Sequence, residues 1–346
     1  MRVNQFLEGI KAYGDSISND AYRIRKILLG AGYESDIFVN NKDSDVPDFV
    51  RHYSTYKEDK SDINILHATI GGKTTKFVSE LNTKRGMVFH NFTPHYYFKD
   101  VNDEHVRLLR DYGYELSRIS DKFDFVVADS EYNKEVIEDL GYRNVEVMPI
   151  FMDFSEYEGC VRLKKSTVSV LAVGRIVPNK RYEDVILSFY YYNKFINGDS
   201  ELNIVGNYRD TEKYYIKLLQ FSKELGIKVD FLGFIENKHL AQYYFNSDVF
   251  LCMSEHEGFC IPLVECMFFG LPIIAYNSTA IPYTLKDCGV LIYEKDHKAV
   301  AELIDMIVKD GLLRKSIVGK QRARADYFID DKHAKRLIQI VKRFEI

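Results

Sequence analysis

Two doubly wound α/β domains, each built on a parallel β-sheet, are the fold that this sequence predicts. The chain has 346 residues, about twice the length of a typical single domain. Short runs of apolar, β-branched residues recur along it, and each run is followed by a polar segment with helical character. Strands that are apolar throughout are typical of parallel sheets covered by helices on both faces. The two series of such runs therefore predict two sheets of this kind.

The candidate strands fall into two groups separated by an irregular segment. The first group is Ser35–Val39, Asn64–His67, Met87–His90, Phe125–Ala128 and Glu146–Pro149. The second group is Val168–Val173, Asn203–Val205, Val229–Leu232, Asp248–Met253, Ile273–Tyr276 and Val290–Tyr293. Phe151–Thr167 lies between the groups, lacks periodicity and carries charges and a glycine, which favours a domain boundary. Apolar residues at helical spacing in Lys332–Phe344 predict a terminal amphipathic helix.

These patterns divide the chain into four parts. We expect an N-terminal domain at residues 1–153, a linker at 154–167 and a C-terminal domain at 168–325. Residues 326–346 are expected to form a helical end that packs back toward the N-terminal domain. Open parallel sheets bind ligands at the carboxyl ends of their strands, so the expected site lies in the loops after strands, facing a cleft between the domains.

Composition excludes several classes of protein. With 46% hydrophobic and 28% charged residues, the chain can bury large cores and is neither disordered nor collagenous. Its net charge of −4 gives no basic field for nucleic acid. No secretory leader is predicted, and the most apolar stretch, Cys260–Tyr276, is interrupted by prolines, a glutamate and a glycine. Five cysteines without a CxxC pair predict a cytoplasmic protein with buried thiols.

The segment Ser254–Gly270 carries two carboxylates where a strand passes into a helix. Pro262 suits a first helical turn and Gly270 a helix end, which places Glu257 in the loop and Glu265 on the helix. Carboxylates there could accept hydrogen bonds from the hydroxyls of a polyol ligand. Backbone N–H groups from Gly258 to Ile261 would face phosphate or sugar oxygens. The alternative is a solvated loop residue and a helix-capping charge.

A second segment, Val170–Arg181, places two cations after a buried strand. The strand ends at Gly174, and Arg175 and Lys180 follow in the loop before a predicted helix at Tyr182–Tyr192. Two cations at this position could hold a diphosphate and offset the charge that develops on it as a leaving group. The alternative is an ordinary solvated loop.

Together these segments resemble the retaining glycosyltransferases of family 4, which have the GT-B fold. The run from Glu257 to Glu265 matches the E-x7-E motif of that family, and Gly174 to Lys180 matches its donor-phosphate loop. The resemblance extends over nearly the whole chain. It also includes a glycine-bearing first loop (Gly14–Asp20), a histidine loop (His90–Pro94), and the segment Ala128–Ser130 with Asn133 and Lys134.

The resemblance implies roles for individual residues. Glu257, His90, Arg175 and Lys180 are the implied catalytic residues; for His90 the alternative is a satisfied histidine at a strand end. The implied donor-binding residues are Gly14, Gly174, Arg175, Lys180, Glu257, Gly258, Phe259, Cys260, Ile261 and Glu265. Among these, Glu265 would take the ribose hydroxyls, and Gly14 would let the backbone approach the phosphate. Asp15 and Asn19 are the implied acceptor contacts.

The implied reaction is transfer of a sugar from a nucleoside diphosphate donor to a glycan acceptor with retention of configuration. No metal is required in this expectation, and the phosphate itself helps deprotonate the acceptor. GDP-mannose is the first expected donor, with UDP-sugars next, and a lipid-linked acceptor in bacterial surface-polysaccharide assembly is the expected setting. Two alternatives stay open: a GT-B epimerase or phosphorylase, and a catalytically silent sugar-nucleotide binding protein.

Three other patterns are weaker. Asp43–Asp45 spells a D-x-D metal motif, but it lies in a polar loop and suits a different fold. Gly71–Thr74 resembles part of a phosphate-binding P-loop, but His67 stands where the motif needs a glycine. A basic surface formed by Lys73, Lys76, Lys84 and Arg85 would favour peripheral membrane contact at the inner face, and a solvated face is the alternative.

Overall fold

The computed structural model describes residues 1–11, 16–154, 166–329 and 332–345. Within these residues the strands form a seven-stranded and a six-stranded sheet, and neighbouring strands run parallel throughout. Helices separate successive strands along most of the chain. The prediction of two parallel, doubly wound α/β sheets is confirmed.

The first sheet has the strand order β3-β2-β1-β4-β5-β6-β7. Its strands are β1 (Val3–Ile10), β2 (Ile37–Lys42), β3 (Val50–His52), β4 (Ile63–Ala68), β5 (Lys84–Phe89), β6 (Phe125–Ala128) and β7 (Glu146–Val147). The helices that accompany it are α1 (Ser16–Gly30), α2 (Lys73–Ser79), α3 (Asp103–Arg110), α4 (Tyr112–Arg118) and α5 (Glu131–Asp139). The sheet is covered on both faces, so β4 and β6 are buried along their whole length.

The strand β1, which lies inside this sheet between β2 and β4, was not predicted from the sequence. Polar residues interrupt its apolar run, and they are buried because their side chains have partners. Asn4 donates from Nδ2 to Asn64 Oδ1 at 3.2 Å, and Gln5 donates from Nε2 to the Ala21 carbonyl at 3.0 Å. A buried amide with a partner costs little, so an interior strand can carry it. The three-residue edge strand β3 was also missed.

The second sheet has the strand order β10-β9-β8-β11-β12-β13. Its strands are β8 (Val168–Val173), β9 (Ser200–Val205), β10 (Val229–Gly233), β11 (Val249–Cys252), β12 (Ile273–Tyr276) and β13 (Val290–Ile292). Its helices are α6 (Tyr182–Phe195), α7 (Glu212–Glu224), α8 (Asn237–Asn246), α9 (Ile261–Phe269), α10 (Ile281–Leu285), α11 (His297–Lys309) and α12 (Gly311–Ile329). Fully buried aliphatic residues of β8 and β11 lie at the centre of its core.

The chain forms two compact units whose boundaries differ from the predicted domains. The first unit contains residues 1–95, 104–152 and 330–346, and the second contains residues 96–103 and 153–329. Sequence analysis assigned Tyr96–Asp103 to the N-terminal domain, but Asn102 Nδ2 donates to the Asp210 carbonyl of the second unit at 2.8 Å. The predicted linker at 154–167 falls mostly outside the described residues.

A helix near the C-terminus, α13 (Lys332–Lys342), belongs to the first unit. Its residues Leu337, Ile340 and Val341 are buried in the same core cluster as Val3 and Ile63. Arg336 of α13 and Arg343 just after it both contact the Glu146 carboxylate. Burial alone would raise the pKa of that carboxyl, but the two arginines outweigh burial and lower it. Among the described residues, no helix is both long and apolar enough to cross a bilayer.

Candidate active site

The loop after β8 begins with a tight backbone approach. Gly174 adopts φ +148°, a conformation that side chains rarely allow, and its carbonyl accepts a hydrogen bond from the Tyr182 hydroxyl at 2.7 Å. A Cβ added to Gly206 on the neighbouring strand's loop would lie 1.8 Å from the Gly174 oxygen. A short 3₁₀ turn at Pro178–Lys180 then leads into α6 through Arg181, which is left-handed at φ 54°.

The loop that carries Glu257 is joined to this turn by hydrogen bonds through the side chain and the backbone of Asn179. The Asn179 amide donates to the His256 carbonyl at 2.9 Å, and the Glu255 N–H donates to the Asn179 carbonyl at 2.8 Å. The Glu257 N–H donates in turn to Thr279 Oγ1 at 2.8 Å. The two segments that sequence analysis singled out therefore form one rigid surface at the carboxyl ends of β8 and β11.

Lys180 and Glu257 form a buried ion pair on this surface. The Lys180 ammonium lies 2.5 Å and 2.6 Å from the two oxygens of the Glu257 carboxylate. Only 18% of the lysine side chain and 8% of the glutamate side chain are exposed. Burial by itself would lower the pKa of Lys180, but the Glu257 charge outweighs it and raises that pKa. Because Glu257 is buried against the Lys180 ammonium, the alternative of a solvated loop residue is excluded.

Helix α9 begins and ends as predicted and carries Glu265 on its buried face. Pro262 lies in its first turn and Gly270 ends it with φ 68°, while the preceding Cys260 is left-handed with φ 69°. Glu265 is only 7% exposed, and the Tyr244 hydroxyl donates to its Oε2 at 2.5 Å. A buried carboxylate with a hydroxyl partner is not a surface capping charge, so that alternative is wrong.

Arg175 differs from Lys180 in its surroundings. It follows Gly174 directly, is exposed, and makes no side-chain hydrogen bond or ion pair within the described ranges. Its guanidinium is therefore able to take an anionic ligand without first giving up a protein partner.

A cluster of charged side chains that was not predicted from the sequence holds the loop of Glu257 in place. Lys295 contacts Asp184 and Glu255, each at 2.7 Å, and Arg181 contacts the same two carboxylates at 3.0 Å and 3.3 Å. Burial alone would raise the pKa of Asp184, but the hydrogen bonds and charges of Lys295 and Arg181 outweigh burial and lower it. Lys295 follows Glu255 by 40 residues and Asp184 by 111 residues, so no local spacing could have shown that they meet.

In the first unit, His90 lies directly after β5 in a chain of buried polar side chains. Its Nδ1 lies 2.7 Å from Asp129 Oδ2, and its Nε2 lies 2.8 Å from Nδ1 of His67. The far nitrogen of His67 lies 2.9 Å from the Gln5 side-chain oxygen. Both ring nitrogens of His90 thus face protein groups, which is the arrangement that sequence analysis gave as the alternative to a sugar contact.

Two groups of side chains in the described residues have the composition of a metal site, and their geometry argues against one. The first group is Asp20, His67 and His90. A tetrahedral zinc ion would hold two histidine nitrogens about 3.3 Å apart. The facing nitrogens of His67 and His90 are only 2.8 Å apart and share a hydrogen bond. In the second, Cys252, Cys260 and Glu257 lie beside the Lys180 ammonium, which already neutralises the carboxylate. Contact with Cys252 and burial also raise the pKa of the Cys260 thiol well above its usual range.

The other predicted site residues and the cysteines differ in whether the structure describes them and in how exposed they are. Gly14 and Asp15 lie outside the described residues, and Asn19 is half-buried on α1. Asp43 follows β2 directly instead of lying in a loop beyond it, and it is exposed, as is Asp45. The four described cysteines are free and buried, as predicted.

The Gly71–Thr74 segment already holds an anion of the protein itself. The Glu8 carboxylate accepts hydrogen bonds from the Thr74 N–H at 3.1 Å and from its hydroxyl at 2.8 Å, at the start of α2. A Cβ added to Gly72 would lie 2.1 Å from the Glu8 carboxyl carbon, so this glycine is needed for that contact. The segment is therefore closed to a phosphate.

Comparison with known proteins points to one class of enzyme. Residues 155–324 match the family model described as glycosyl transferases group 1. An uncharacterized 41.2 kDa protein in the cps region of Klebsiella pneumoniae is 26% identical over 273 residues, covering 72% of this chain and 70% of that protein. O-antigen chain mannosyltransferase B of Escherichia coli is 27% identical over 100 residues, which is 29% of this chain and 26% of that enzyme.

Solved structures match over almost the full length at low sequence identity. Sucrose-phosphate synthase of Thermosynechococcus elongatus has a TM-score of 0.78 at 17% identity and covers 99% of both chains. Anabaena HepE in complex with UDP-glucose has a TM-score of 0.77 at 14% identity and covers 99% of this chain and 100% of that one. The structural matches assign the GT-B fold, and the match of residues 155–324 to the family model, together with curated relatives named as glycosyltransferases, indicates glycosyltransferase activity.

Proposed function

We propose that this enzyme is a retaining, metal-independent glycosyltransferase that moves a sugar from a nucleoside diphosphate donor to a glycan acceptor. The first candidate donor is GDP-mannose, and UDP-sugars are the second. The acceptor is a lipid-linked glycan of a bacterial surface polysaccharide, reached from the cytoplasmic side. The names of two relatives support this setting, an O-antigen mannosyltransferase and a capsular polysaccharide biosynthesis glycosyltransferase of Staphylococcus aureus.

The observation that carries the proposal is the buried Lys180–Glu257 pair in the same loop region as Arg175, whose side chain has no partner among the described residues. A lysine ammonium has three N–H donors, and Glu257 takes two of them at 2.5 Å and 2.6 Å. The third remains for a phosphate oxygen of the donor. Together with the guanidinium of Arg175, it would stabilise the diphosphate as negative charge develops on it.

The two glutamates divide the rest of the donor between them in this proposal. Glu265, oriented by Tyr244, accepts hydrogen bonds from the ribose hydroxyls, and Glu257 accepts from a hydroxyl of the transferred sugar. Glu257 is held by Lys180, so it acts as an oriented acceptor and not as a nucleophile. The leaving phosphate would then take the acceptor's proton on the face from which it departs, which gives retention of configuration.

Donor binding tests the proposal first. Calorimetry with UDP, GDP, dTDP, ADP and ATP is expected to show binding of one diphosphate to the wild type and its loss in Lys180→Ala. Lys228→Ala, which removes an exposed lysine of the same unit, is the matched control and is expected to bind normally. Binding of ATP alone, with Lys180 irrelevant, would contradict the proposed donor site.

Incubation with the donor that binds, with and without a glycan acceptor, distinguishes the enzyme classes. Transfer that requires the acceptor and gives a product of unchanged anomeric configuration by NMR supports the proposal. Conversion of the donor without acceptor indicates an epimerase, and turnover that requires added inorganic phosphate indicates a phosphorylase. Binding without any turnover indicates a silent sugar-nucleotide binding protein.

A further inference from the structure

A chain of hydrogen bonds in the first unit fixes how many protons its buried side chains hold. Three contacts make up the chain: Gln5 Oε1 to His67 Nε2 at 2.9 Å, His67 Nδ1 to His90 Nε2 at 2.8 Å, and His90 Nδ1 to Asp129 Oδ2 at 2.7 Å. All four residues are less than 9% exposed. At these distances each contact must contain one proton, because two facing lone pairs would repel each other.

The orientation of the Gln5 side chain decides which atom carries the proton in the contact between Gln5 and His67. Its side-chain nitrogen lies 3.0 Å from the carbonyl oxygen of Ala21, which can only accept a hydrogen bond. The side-chain oxygen of Gln5 must therefore face His67, and it too can only accept. The proton of this contact is consequently on His67 Nε2.

The number of protons that the three contacts need shows that one of the two imidazole rings is a cation. Two neutral imidazoles bring two protons, and the three contacts need three. We assign the third to the histidine pair and not to Asp129, because two carboxylates face His90, Asp129 at 2.7 Å and Asp20 at 4.0 Å, and together they favour the charged form of the ring. The pair of histidines therefore holds one extra proton.

The charges around the two rings decide which one carries it. His90 faces the Asp129 carboxylate at 2.7 Å and lies 4.0 Å from the Asp20 carboxylate on α1. The two ring nitrogens of His67 contact a neutral amide and His90, and one of them lies within 4.8 Å of the Asp20 carboxylate without a direct carboxylate contact such as the one His90 has with Asp129. Burial and the neighbouring His90 both lower the pKa of His67 well below its usual value, which acts in the same direction. Besides His90, the charged groups that act on Asp20 are Asp129 and Arg23, which is also on α1.

We propose that His90 is an imidazolium in the folded enzyme, and that His67 and Gln5 are positioning residues that hold it in this state. Its consequence for transfer rests on the proposed function. A doubly protonated ring has only donors, so His90 could place positive charge toward a phosphate or sugar oxygen but could not act as a general base.

NMR of the full chain with ¹⁵N-labelled histidine tests the charge without using a donor or turnover. His90→Gln and His67→Gln assign the two rings among the nine histidines. At pH 7.5 both ring nitrogens of His90 are expected to be protonated, whereas His67 is expected to carry one proton, on Nε2. A failure of the proposed function would leave this result unchanged.

Two matched variants test the role of Gln5. Gln5→Leu removes the acceptor for His67 Nε2, so His67 can move its proton to Nδ1 and donate to a neutral His90. The midpoint at which His90 loses its second proton is then expected to fall by about one pH unit or more. Asn4→Leu removes a buried amide from the adjacent position of β1 and is expected to leave that midpoint unchanged.

The pH dependence of kcat gives a second measurement if transfer is observed. Its alkaline limb is expected to move to lower pH in Gln5→Leu and to stay in place in Asn4→Leu. A neutral His90 in the wild type, or the charge on His67, would overturn the inference. So would one equivalent of zinc in the purified protein, with the facing nitrogens of His67 and His90 both deprotonated.

Discussion

Replacing Lys180 by methionine should destabilise the second unit by more than the loss of a surface ion pair. The substitution keeps the apolar stem and removes the ammonium that lies 2.5 Å and 2.6 Å from the Glu257 carboxylate. Glu257 then remains buried, with 8% of its side chain exposed and no opposite charge. Breaking a buried pair in this way costs about 3–5 kcal/mol, whereas an exposed pair is worth about 1 kcal/mol or less.

A second substitution separates this stability effect from catalysis. Adding Glu257→Gln to Lys180→Met removes the unpaired charge, so the double variant is expected to lie within about 1–3 kcal/mol of the wild type. Urea unfolding followed by far-ultraviolet circular dichroism measures the free energies of all three proteins. The double variant is nevertheless expected to be inactive in transfer, because neither the cation nor the carboxylate is present.

Two results would refute this reasoning. If Lys180→Met alone unfolds at the wild-type urea concentration, then Glu257 is solvated or finds another cation, and the pair is not buried in solution. If the double variant retains wild-type transfer, then neither residue contributes to the reaction. Lys228→Met provides the control for removing a lysine from this unit at a site that is 85% exposed.

Three further predictions concern other parts of the molecule. Tyr244→Phe removes the hydroxyl that orients Glu265 and is expected to raise the KM for the donor several-fold with a smaller change in kcat; an unchanged KM would contradict a ribose contact by Glu265. EDTA is expected to leave initial transfer rates unchanged, and a requirement for Mg²⁺ or Mn²⁺ would revive the interpretation of Asp43–Asp45 as a metal site. Burial raises the pKa of Asp20 from 3.8 to about 6, so its contribution to stability falls as pH rises through this range. Asp20→Asn should therefore be more stable than the wild type above pH 6, by on the order of 3 kcal/mol at roughly 1.36 kcal/mol per pKa unit, and should show no gain at pH 4 in urea unfolding.

Local patterns in the sequence were enough for most strands and for the two segments that meet at Lys180 and Glu257. Phe125–Ala128, Val168–Val173 and Ile273–Tyr276 were predicted with the observed bounds, because each is an uninterrupted apolar run between polar segments. The segment from Glu257 to Gly270 also contains a signal for the start of a helix, Pro262, and a signal for its end, Gly270. These features depend on residues close together in the chain.

What the sequence could not predict depends on partners that are distant along the chain. The strand β1 was hidden by amides whose partners lie 16 and 60 residues away. Single contacts in the chain of bonds at His90 join residues as many as 62 positions apart, so a strand-end histidine gave no sign of the charge it holds. Lys295 likewise belongs to the loop of Glu255 only in three dimensions.

The return of α13 to the first unit affects the order in which the protein can fold during synthesis. Leu337, Ile340 and Val341 complete a core cluster whose other members include Val3 and Ile63. A ribosome therefore produces the entire second unit before it supplies the helix that closes the first. Until then the nascent first unit exposes an apolar groove where α13 will pack, and this intermediate is the state in which chaperones would bind the chain.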